Sequence, residues 1–175
     1  MPKTLSIFSR AAAVIVAVLL FASSTAWAAA RTGQPAPPFK GFALSGQPLS
    51  MDALKGSVVI LDFWATWCSP CRESLPFLSE LHRKYGKQGL QIVGMSVDDT
   101  GERHVKSFAA EKGLQYHIMM SSGKIQADYG VRAVPVMFVL DKNGNVAEKM
   151  MGFSPHHGKV LENLIKKLLA QPASP

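Results

Sequence analysis

The feature that most constrains the fold is a pair of cysteines, Cys68 and Cys71, that closely follows a short apolar run. These two are the only cysteines among 175 residues. The run, residues 58–64, is rich in β-branched and aromatic side chains and predicts a buried strand. Two residues separate the cysteines, a spacing that places both sulfurs on one face where a helix begins. A strand, a cysteine pair and then a helix are typical of a redox centre rather than of half a metal site.

The first thirty residues have the composition of an export signal. They begin with two basic residues, continue with an uncharged apolar stretch at 11–22, and end in small residues at 26–30 that match an A-x-A cleavage pattern. The apolar stretch is shorter than the roughly 20 residues that a membrane-spanning helix needs. We therefore predict a signal peptide over residues 1–30 and one domain over residues 31–175, with an uncleaved N-terminal anchor as the alternative.

Export also affects the interpretation of the cysteine pair. In a compartment that permits disulfides, two nearby cysteines could be a purely structural crosslink. A bridge that encloses only two residues closes a very small loop, however, and it restricts the unfolded chain little. Reversible thiol chemistry therefore explains the pair better than structural crosslinking does.

The charge distribution argues against a nucleic-acid partner. The net charge is +7, and residues 1–28 hold two of the 19 basic residues and none of the 12 acidic ones, so 17 against 12 leaves +5 without them. The remaining Lys and Arg residues are scattered rather than gathered into a block or a stripe. Such a distribution indicates a solvated basic surface, and no nucleic-acid partner is predicted.

The rest of the pattern predicts an α/β protein. Strands alternate with helices early, and a hairpin followed by a helix ends the chain, so we expect a central mixed sheet with helices on both faces. The predicted elements are a hairpin at 41–49, a helical turn at 51–54, strands at 57–63, 90–97, 115–119, 136–140 and 146–151, and helices at 70–85, 102–112, 124–129 and 156–169. The last helix is predicted to bury Val160, Leu161, Leu164, Ile165, Leu168 and Leu169.

Several motifs together resemble a known family. The run from Asp62 to Arg72 resembles the active-site signature of thioredoxin-fold proteins, Pro76 resembles their helix-kinking proline, and Val134-Pro135 resembles their cis-proline segment. The resemblance implies a thioredoxin-like fold in which Pro135 faces the dithiol and the backbone of Val134 pairs with an extended substrate segment. An ordinary trans proline that opens a strand is the alternative for Pro135.

Two further segments resemble one branch of this family, the exported TlpA/ResA-like proteins, which include the cytochrome c maturation reductases. They are an N-terminal β-hairpin extension at residues 35–54 and a strand–helix insertion between residues 97 and 127. One position departs from the branch, because Ser74 stands where many members carry a glutamate. Glu73 lies one place earlier, about 100° around the helix, and cannot be assumed to replace it.

The cysteines receive distinct roles. Disulfide exchange needs a thiolate, and a free cysteine is mostly protonated at neutral pH. The N–H groups and the positive end of the dipole at a helix N-terminus favour the anion. We therefore predict that Cys68 is the exposed attacking sulfur and that Cys71 is the more enclosed sulfur that resolves the mixed disulfide.

The residues around the pair complete the predicted site. Asp62 lies in an apolar strand segment, where burial would raise its pKa and let it accept the proton of Cys71; a hydrogen-bonded aspartate that only orders the turn is the alternative. Trp67, Ser69 and Pro70 are predicted to contact substrate, and Ser69-Pro70 also tunes the reduction potential. Trp64 is assigned either to the core or to the site.

Two other functional classes are alternatives to a redox enzyme. A copper or zinc module could use the two thiolates, with Met119, Met120, Met150, Met151 or His156-His157 as further ligands. A closed zinc site needs four ligands, however, and no second C-x-x-C follows, so we interpret the methionines as core residues and predict no metal. A thiol peroxidase of the peroxiredoxin pattern needs proline and Ser or Thr where Leu61 and Ala65 stand.

The sequence therefore predicts an exported thiol–disulfide oxidoreductase that needs no cofactor. Its expected substrates are disulfides of partner proteins. The family resemblance implies reduction, for example of apocytochrome c or of a copper-site assembly protein, and re-reduction by a membrane thiol reductase.

Overall fold

A computed structural model describes residues 29–173, so the predicted signal peptide lies almost entirely outside the described residues. Within those residues, no helix has both the length and the apolar character that crossing a membrane requires.

The described chain contains seven strands, four α-helices and two short 3-10 turns, close to the predicted positions. The 3-10 turns are Asp52–Leu54 and Gly86–Gln88. In chain order the main elements are β1 (Lys40–Phe42), β2 (Pro48–Ser50), β3 (Val58–Trp64), α1 (Ser69–Tyr85), β4 (Leu90–Ser96), α2 (Glu102–Glu111), β5 (His117–Met120), α3 (Gly123–Asp128), β6 (Val136–Leu140), β7 (Val146–Met151) and α4 (Pro155–Ala170).

Five of the strands form one mixed sheet, as predicted. Its order is β5-β4-β3-β6-β7, in which β3, β4 and β5 run parallel and β6 and β7 are antiparallel to their neighbours. The strand that leads to the cysteines, β3, is therefore central, and all seven of its residues are buried. The two short strands β1 and β2 pair separately as the predicted N-terminal hairpin.

Successive residues of β3 point to opposite faces of the sheet, and each face has its own cover. The face that carries Ile60 and Trp64 packs against α1, α2 and α4. The face that carries Leu61 and Phe63 packs against α3 and the segment that precedes β1. Helices therefore cover both faces, which confirms the predicted thioredoxin-like arrangement.

Two packing predictions are wrong. Val160 is 44% exposed, because it lies about 100° around α4 from Leu161, beyond the edge of the buried stripe. Met151 is 65% exposed, because it is the last residue of the edge strand β7. The other predicted residues of α4 pack as expected, with Leu161, Ile165 and Leu168 buried and Leu164 and Leu169 at the margin.

Candidate active site

Cys68 and Cys71 form a disulfide at the N-terminus of α1, with the sulfurs 2.03 Å apart. Cys68 is the residue that caps the helix, and its Sγ accepts a hydrogen bond from the backbone N–H of Cys71 at 3.2 Å. Pro70 occupies the first turn, where its missing N–H breaks no helical hydrogen bond. The sulfur of Cys68 therefore lies where N–H groups and the helix dipole favour negative charge.

Both cysteines are well enclosed in this oxidised state. Cys68 is 4% exposed and Cys71 is fully buried, so their order is the predicted one, but Cys68 is less accessible than the sequence suggests. The bond to Cys71 explains the difference, because it holds the Cys68 sulfur against the buried start of the helix.

A buried carboxylate that none of the sequence motifs predicts holds the loop that precedes Cys68. Asp98, just beyond β4, accepts hydrogen bonds from the backbone N–H of Thr66 at 3.0 Å and from the Thr66 hydroxyl at 2.5 Å. It also accepts one from the hydroxyl of Ser96 at 2.8 Å. A usable signal existed, because the carboxyl ends of the parallel neighbours β3 and β4 must meet at one edge of the sheet.

The remaining polar atoms of Thr66 are bound as well. Its hydroxyl has a single proton, which goes to Asp98, so the 3.2 Å contact with His104 requires the Nε2–H of that histidine to donate. Its carbonyl accepts from Nη1 of Arg72 at 3.2 Å. The loop is therefore fixed by side chains from β4, α1 and α2 before the chain reaches Trp67 and Cys68.

Asp62 is buried completely, on the face of β3 that packs against α1. Neither of its carboxylate oxygens has a hydrogen-bond partner among residues 29–173. Burial therefore raises its pKa to about 7. The alternative of a hydrogen-bonded aspartate that only orders the turn does not agree with this geometry.

Ser74, at the position where the branch carries a glutamate, and its neighbour Glu73 differ in exposure. The side chain of Ser74 is buried, and its hydroxyl donates to the carbonyl of Cys71 at 2.8 Å. Glu73 is exposed on the outer side of α1. Within the described residues, Asp62 and Asp98 are the buried acidic residues, and Asp98 is engaged by the loop.

The cis-proline segment lies at the same edge of the sheet as the disulfide. The Val134–Pro135 peptide bond is cis, as predicted. Strand β6 begins at Val136, opposite Phe63 near the end of β3, so the loops that carry Val134 and Cys68 leave the sheet side by side. The loop hydrogen bonds among residues 29–173 include none to the backbone of Val134.

The residues predicted to contact substrate are exposed, and Trp64 is not one of them. Trp67 is 61% exposed, and Ser69 and Pro70 are exposed beside it. Trp64 is fully buried, with its ring 5.7 Å from that of Phe108. Trp64 therefore belongs to the core.

The methionines and histidines that could supply further metal ligands are dispersed. Met119 is buried, Met151 is exposed, and the His156-His157 pair lies in the first turn of α4. In the part of the chain that the structure describes, no group of three or more His, Cys, Asp or Glu side chains is placed to hold a metal ion.

Comparison with known proteins gives the family. The Redoxin family model matches residues 31–165, which is most of the chain and all of the sheet. The chain belongs to the Redoxin family. This Redoxin family member is 36% identical over 137 residues to the thiol-disulfide oxidoreductase ResA of Bacillus thuringiensis, a match that covers 78% of each chain.

Two other relatives agree. The thioredoxin-like protein YneN of Bacillus subtilis is 36% identical over 121 residues, covering 69% of this chain and 71% of that one. The crystal structure of a thiol:disulfide interchange protein of the thioredoxin family from Chlorobium tepidum superposes with a TM-score of 0.72 at 30% identity, covering 82% of this chain and all of the other. This Redoxin family member is therefore a thiol–disulfide oxidoreductase that carries its C-x-x-C pair at Cys68 and Cys71 and acts on disulfides.

Proposed function

We propose that this protein is exported and uses its dithiol to reduce disulfides of partner proteins, with Cys68 attacking, Cys71 resolving and Asp62 accepting the proton. One observation carries the proposal. A disulfide caps a helix N-terminus, and an unpartnered carboxyl with a pKa near neutrality lies on the strand face beneath that helix. This is the pairing of a stabilised thiolate with a buried base that stepwise disulfide exchange requires.

The reaction begins with the reduced enzyme. The Cys68 thiolate attacks one sulfur of the substrate disulfide, forms a mixed disulfide and releases the other substrate sulfur as a thiolate. Cys71 then loses its proton to Asp62 and attacks Cys68, and the second substrate sulfur leaves. Two electrons pass from the dithiol to the substrate, and the enzyme is left with the Cys68–Cys71 disulfide.

Substrate binding is assigned to the exposed surface around the pair. Trp67 supplies an apolar face, and the exposed Ser69 and Pro70 separate the two cysteines along the chain. The backbone of Val134, which has no hydrogen bond within the described loops, is suited to pair with an extended segment of the substrate. Short main-chain pairing of this kind accepts many sequences, which fits an enzyme that acts on protein disulfides.

The cellular setting is part of the proposal. The leader-like composition of residues 1–30 supports export, with an uncleaved anchor as the alternative. We place apocytochrome c, whose haem-attachment motif is itself C-x-x-C-H, first among the substrates and a copper-site assembly protein second. A membrane thiol reductase would return electrons to the pair.

Trapping the mixed disulfide tests the central step. In Cys71→Ser the resolving thiol is missing, so the reduced variant should accumulate a covalent adduct on Cys68 when it meets an oxidised C-x-x-C-H peptide, visible by mass spectrometry. Cys68→Ser is the matched control and should form no adduct. If Cys71→Ser forms no adduct, the proposed attack by Cys68 is wrong. If the wild-type protein reduces the peptide disulfide no faster than it reduces insulin, the proposed substrate is wrong.

A rate measurement tests Asp62 separately. Asp62→Asn removes the proton acceptor without changing the size of the side chain, so release of the mixed disulfide near pH 7 should slow by at least about tenfold. Stopped-flow measurement of release across the range from about pH 5 to about pH 9 gives the profile. An equal rate and an equal profile in the two proteins would remove Asp62 from the mechanism.

A further inference from the structure

Asp62 is not alone in lacking a partner. The indole Nε1 of Trp64 and the hydroxyl of Tyr116 are also inaccessible and make no hydrogen bond within residues 29–173. Trp64 is fully buried and Tyr116 is 6% exposed. Unpartnered buried polar groups are costly and uncommon, and three of them on one face of a sheet point to a shared function. We call Asp62, Trp64 and Tyr116 the polar cluster.

Gly94 brings the polar cluster together. It lies on β4, between Asp62 on β3 and Ile118 on β5. A Cβ atom at position 94 would lie 2.9 Å from Nε1 of Trp64 and 3.3 Å from Cε2 of Tyr116, so both rings lie directly over the glycine. A side chain at this position would fill the space that the two rings occupy.

The ring of Tyr116 therefore extends toward Asp62. Tyr116 immediately precedes β5, and its ring crosses over β4, one strand spacing of about 4.8 Å away from β3. Two causes raise the pKa of the Tyr116 phenol: the larger is burial, and the smaller is the negative charge of the Asp62 carboxylate. Tyr116 therefore keeps its proton in the pH range in which Asp62 titrates.

The hydrogen-bonding groups of the cluster are complementary. An indole N–H only donates, a protonated phenol donates, and an ionised carboxylate only accepts. The ionised form of Asp62 thus has two potential donors, Trp64 and Tyr116, on its own face of the sheet.

Few other titratable groups face the polar cluster. Helix α1 contributes the two cysteines, Tyr85 and His82, whose ring lies 6.3 Å from that of Tyr116 and whose buried Nδ1 also has no partner within residues 29–173. Lys106 of α2 and His117 of β5 line a surface cavity together with Tyr116. Helices α2 and α4 contribute apolar side chains to this core, and the residue of β6 that pairs with Asp62 is Met137. Of these groups, Tyr116 and Trp64 are the donors whose rings lie over Gly94, the residue that pairs with Asp62.

We propose that Tyr116 is a positioning residue for the acid–base step, because its hydroxyl donates, directly or through an internal water, to the ionised carboxylate of Asp62 and sets the pH at which Asp62 accepts the proton of Cys71. The inference rests on the proposed role of Asp62. During resolution the proton moves from the Cys71 thiol to the Asp62 carboxylate, and Tyr116 keeps its own proton.

The test is a carbon-13 NMR titration of the Asp62 carboxyl in the oxidised protein. Tyr116→Phe keeps the ring and removes the donor, so the pKa of Asp62 should be about one pH unit higher in the variant than in the wild-type protein. Tyr85→Phe is the matched control: Tyr85 is also buried in this core, but its hydroxyl donates to Glu162 at 2.6 Å. In this control the pKa of Asp62 should be the same as in the wild-type protein.

If Tyr116→Phe does not fold, a second measurement on the wild-type protein still tests the inference. In the wild-type protein, the ring carbons of Tyr116 should shift with the same midpoint as the Asp62 carboxyl, whereas those of Tyr85 should not. The inference would be overturned if the pKa of Asp62 were the same in folded Tyr116→Phe as in the wild type. It would also be overturned if the chemical shifts of Tyr116 in the wild-type protein did not change as Asp62 titrates.

The release rate separates this inference from the proposed function. In Tyr116→Phe the acidic limb of the release profile should move to higher pH by about one unit, in step with the NMR shift. If the pKa of Asp62 rises in Tyr116→Phe but the acidic limb of the release profile stays at the same pH, the catalytic part of the inference is wrong. An unchanged profile in Asp62→Asn would instead refute the role of Asp62 itself.

Discussion

The burial of Asp62 predicts an unusual pH dependence of stability. Burial raises the pKa of this carboxyl to about 7, against an ordinary value of 3.8. Between those two pH values the folded protein holds a proton that the unfolded chain has released, so the free energy of unfolding falls as pH rises. Each pH unit of the gap corresponds to about 1.4 kcal/mol, so the loss approaches about 4 kcal/mol above pH 7.

Asp62→Asn should remove this loss. The amide has nearly the shape of the protonated acid and does not titrate, so the variant should match the wild type near pH 4 and exceed it by about 4 kcal/mol near pH 8. Urea unfolding of the oxidised proteins, followed by circular dichroism at each pH, measures the difference. The oxidised state is chosen because neither cysteine titrates in the disulfide.

A surface substitution provides the control. Glu73 is exposed on α1, so Glu73→Gln should change stability by less than about 0.5 kcal/mol at every pH. A constant difference between Asp62→Asn and the wild type from pH 4 to pH 8, or a less stable variant at pH 8, would refute the argument that burial makes ionisation of Asp62 costly.

Three further predictions concern the loop before Cys68, the exposed Trp67 and the sheet at Gly94. Asp98→Ala leaves the buried donors of Thr66 without an acceptor and should lower the free energy of unfolding by about 3 kcal/mol, while Asp98→Asn recovers part of the loss in the same urea titration. Trp67→Ala should raise KM for a protein disulfide several-fold without changing the thermal midpoint, since the side chain is 61% exposed; an unaltered KM would exclude Trp67 from substrate binding. Gly94→Ala places a methyl group 2.8 Å from Cδ1 of Ile118 and should cost about 1–3 kcal/mol of stability, and a variant as stable as the wild type would show that the space over Gly94 is larger than described.

Local patterns were sufficient for most of the fold. The turn that joins β6 to β7 contains Gly144, which adopts a φ of +82°, a conformation that favours glycine. The two strands that it joins, β6 and β7, have the predicted bounds. The boundaries of the helices were predicted to within one or two residues, since proline, serine and glycine mark their ends.

Solvent exposure could not be predicted as well from the same patterns. Val160 and Met151 are apolar and fit the periodicity of their elements, yet both are exposed. Whether such a residue is covered depends on how far the neighbouring layer extends, and neither periodicity nor composition contains that distance.

The sequence by itself determined the chemistry that this protein carries: one cysteine pair placed between a strand and a helix, a proline segment at the right distance along the chain, and an acidic residue in an apolar strand. Those features are short-range, so residue spacing and periodicity encode them. The tertiary structure decided the surroundings of the pair. Asp98 reaches Thr66 across 32 positions of the chain, and Tyr116 reaches over Gly94 toward Asp62, because the parallel register of β3, β4 and β5 places them side by side. That register results from packing of the whole sheet between its two layers, and no local segment specifies it.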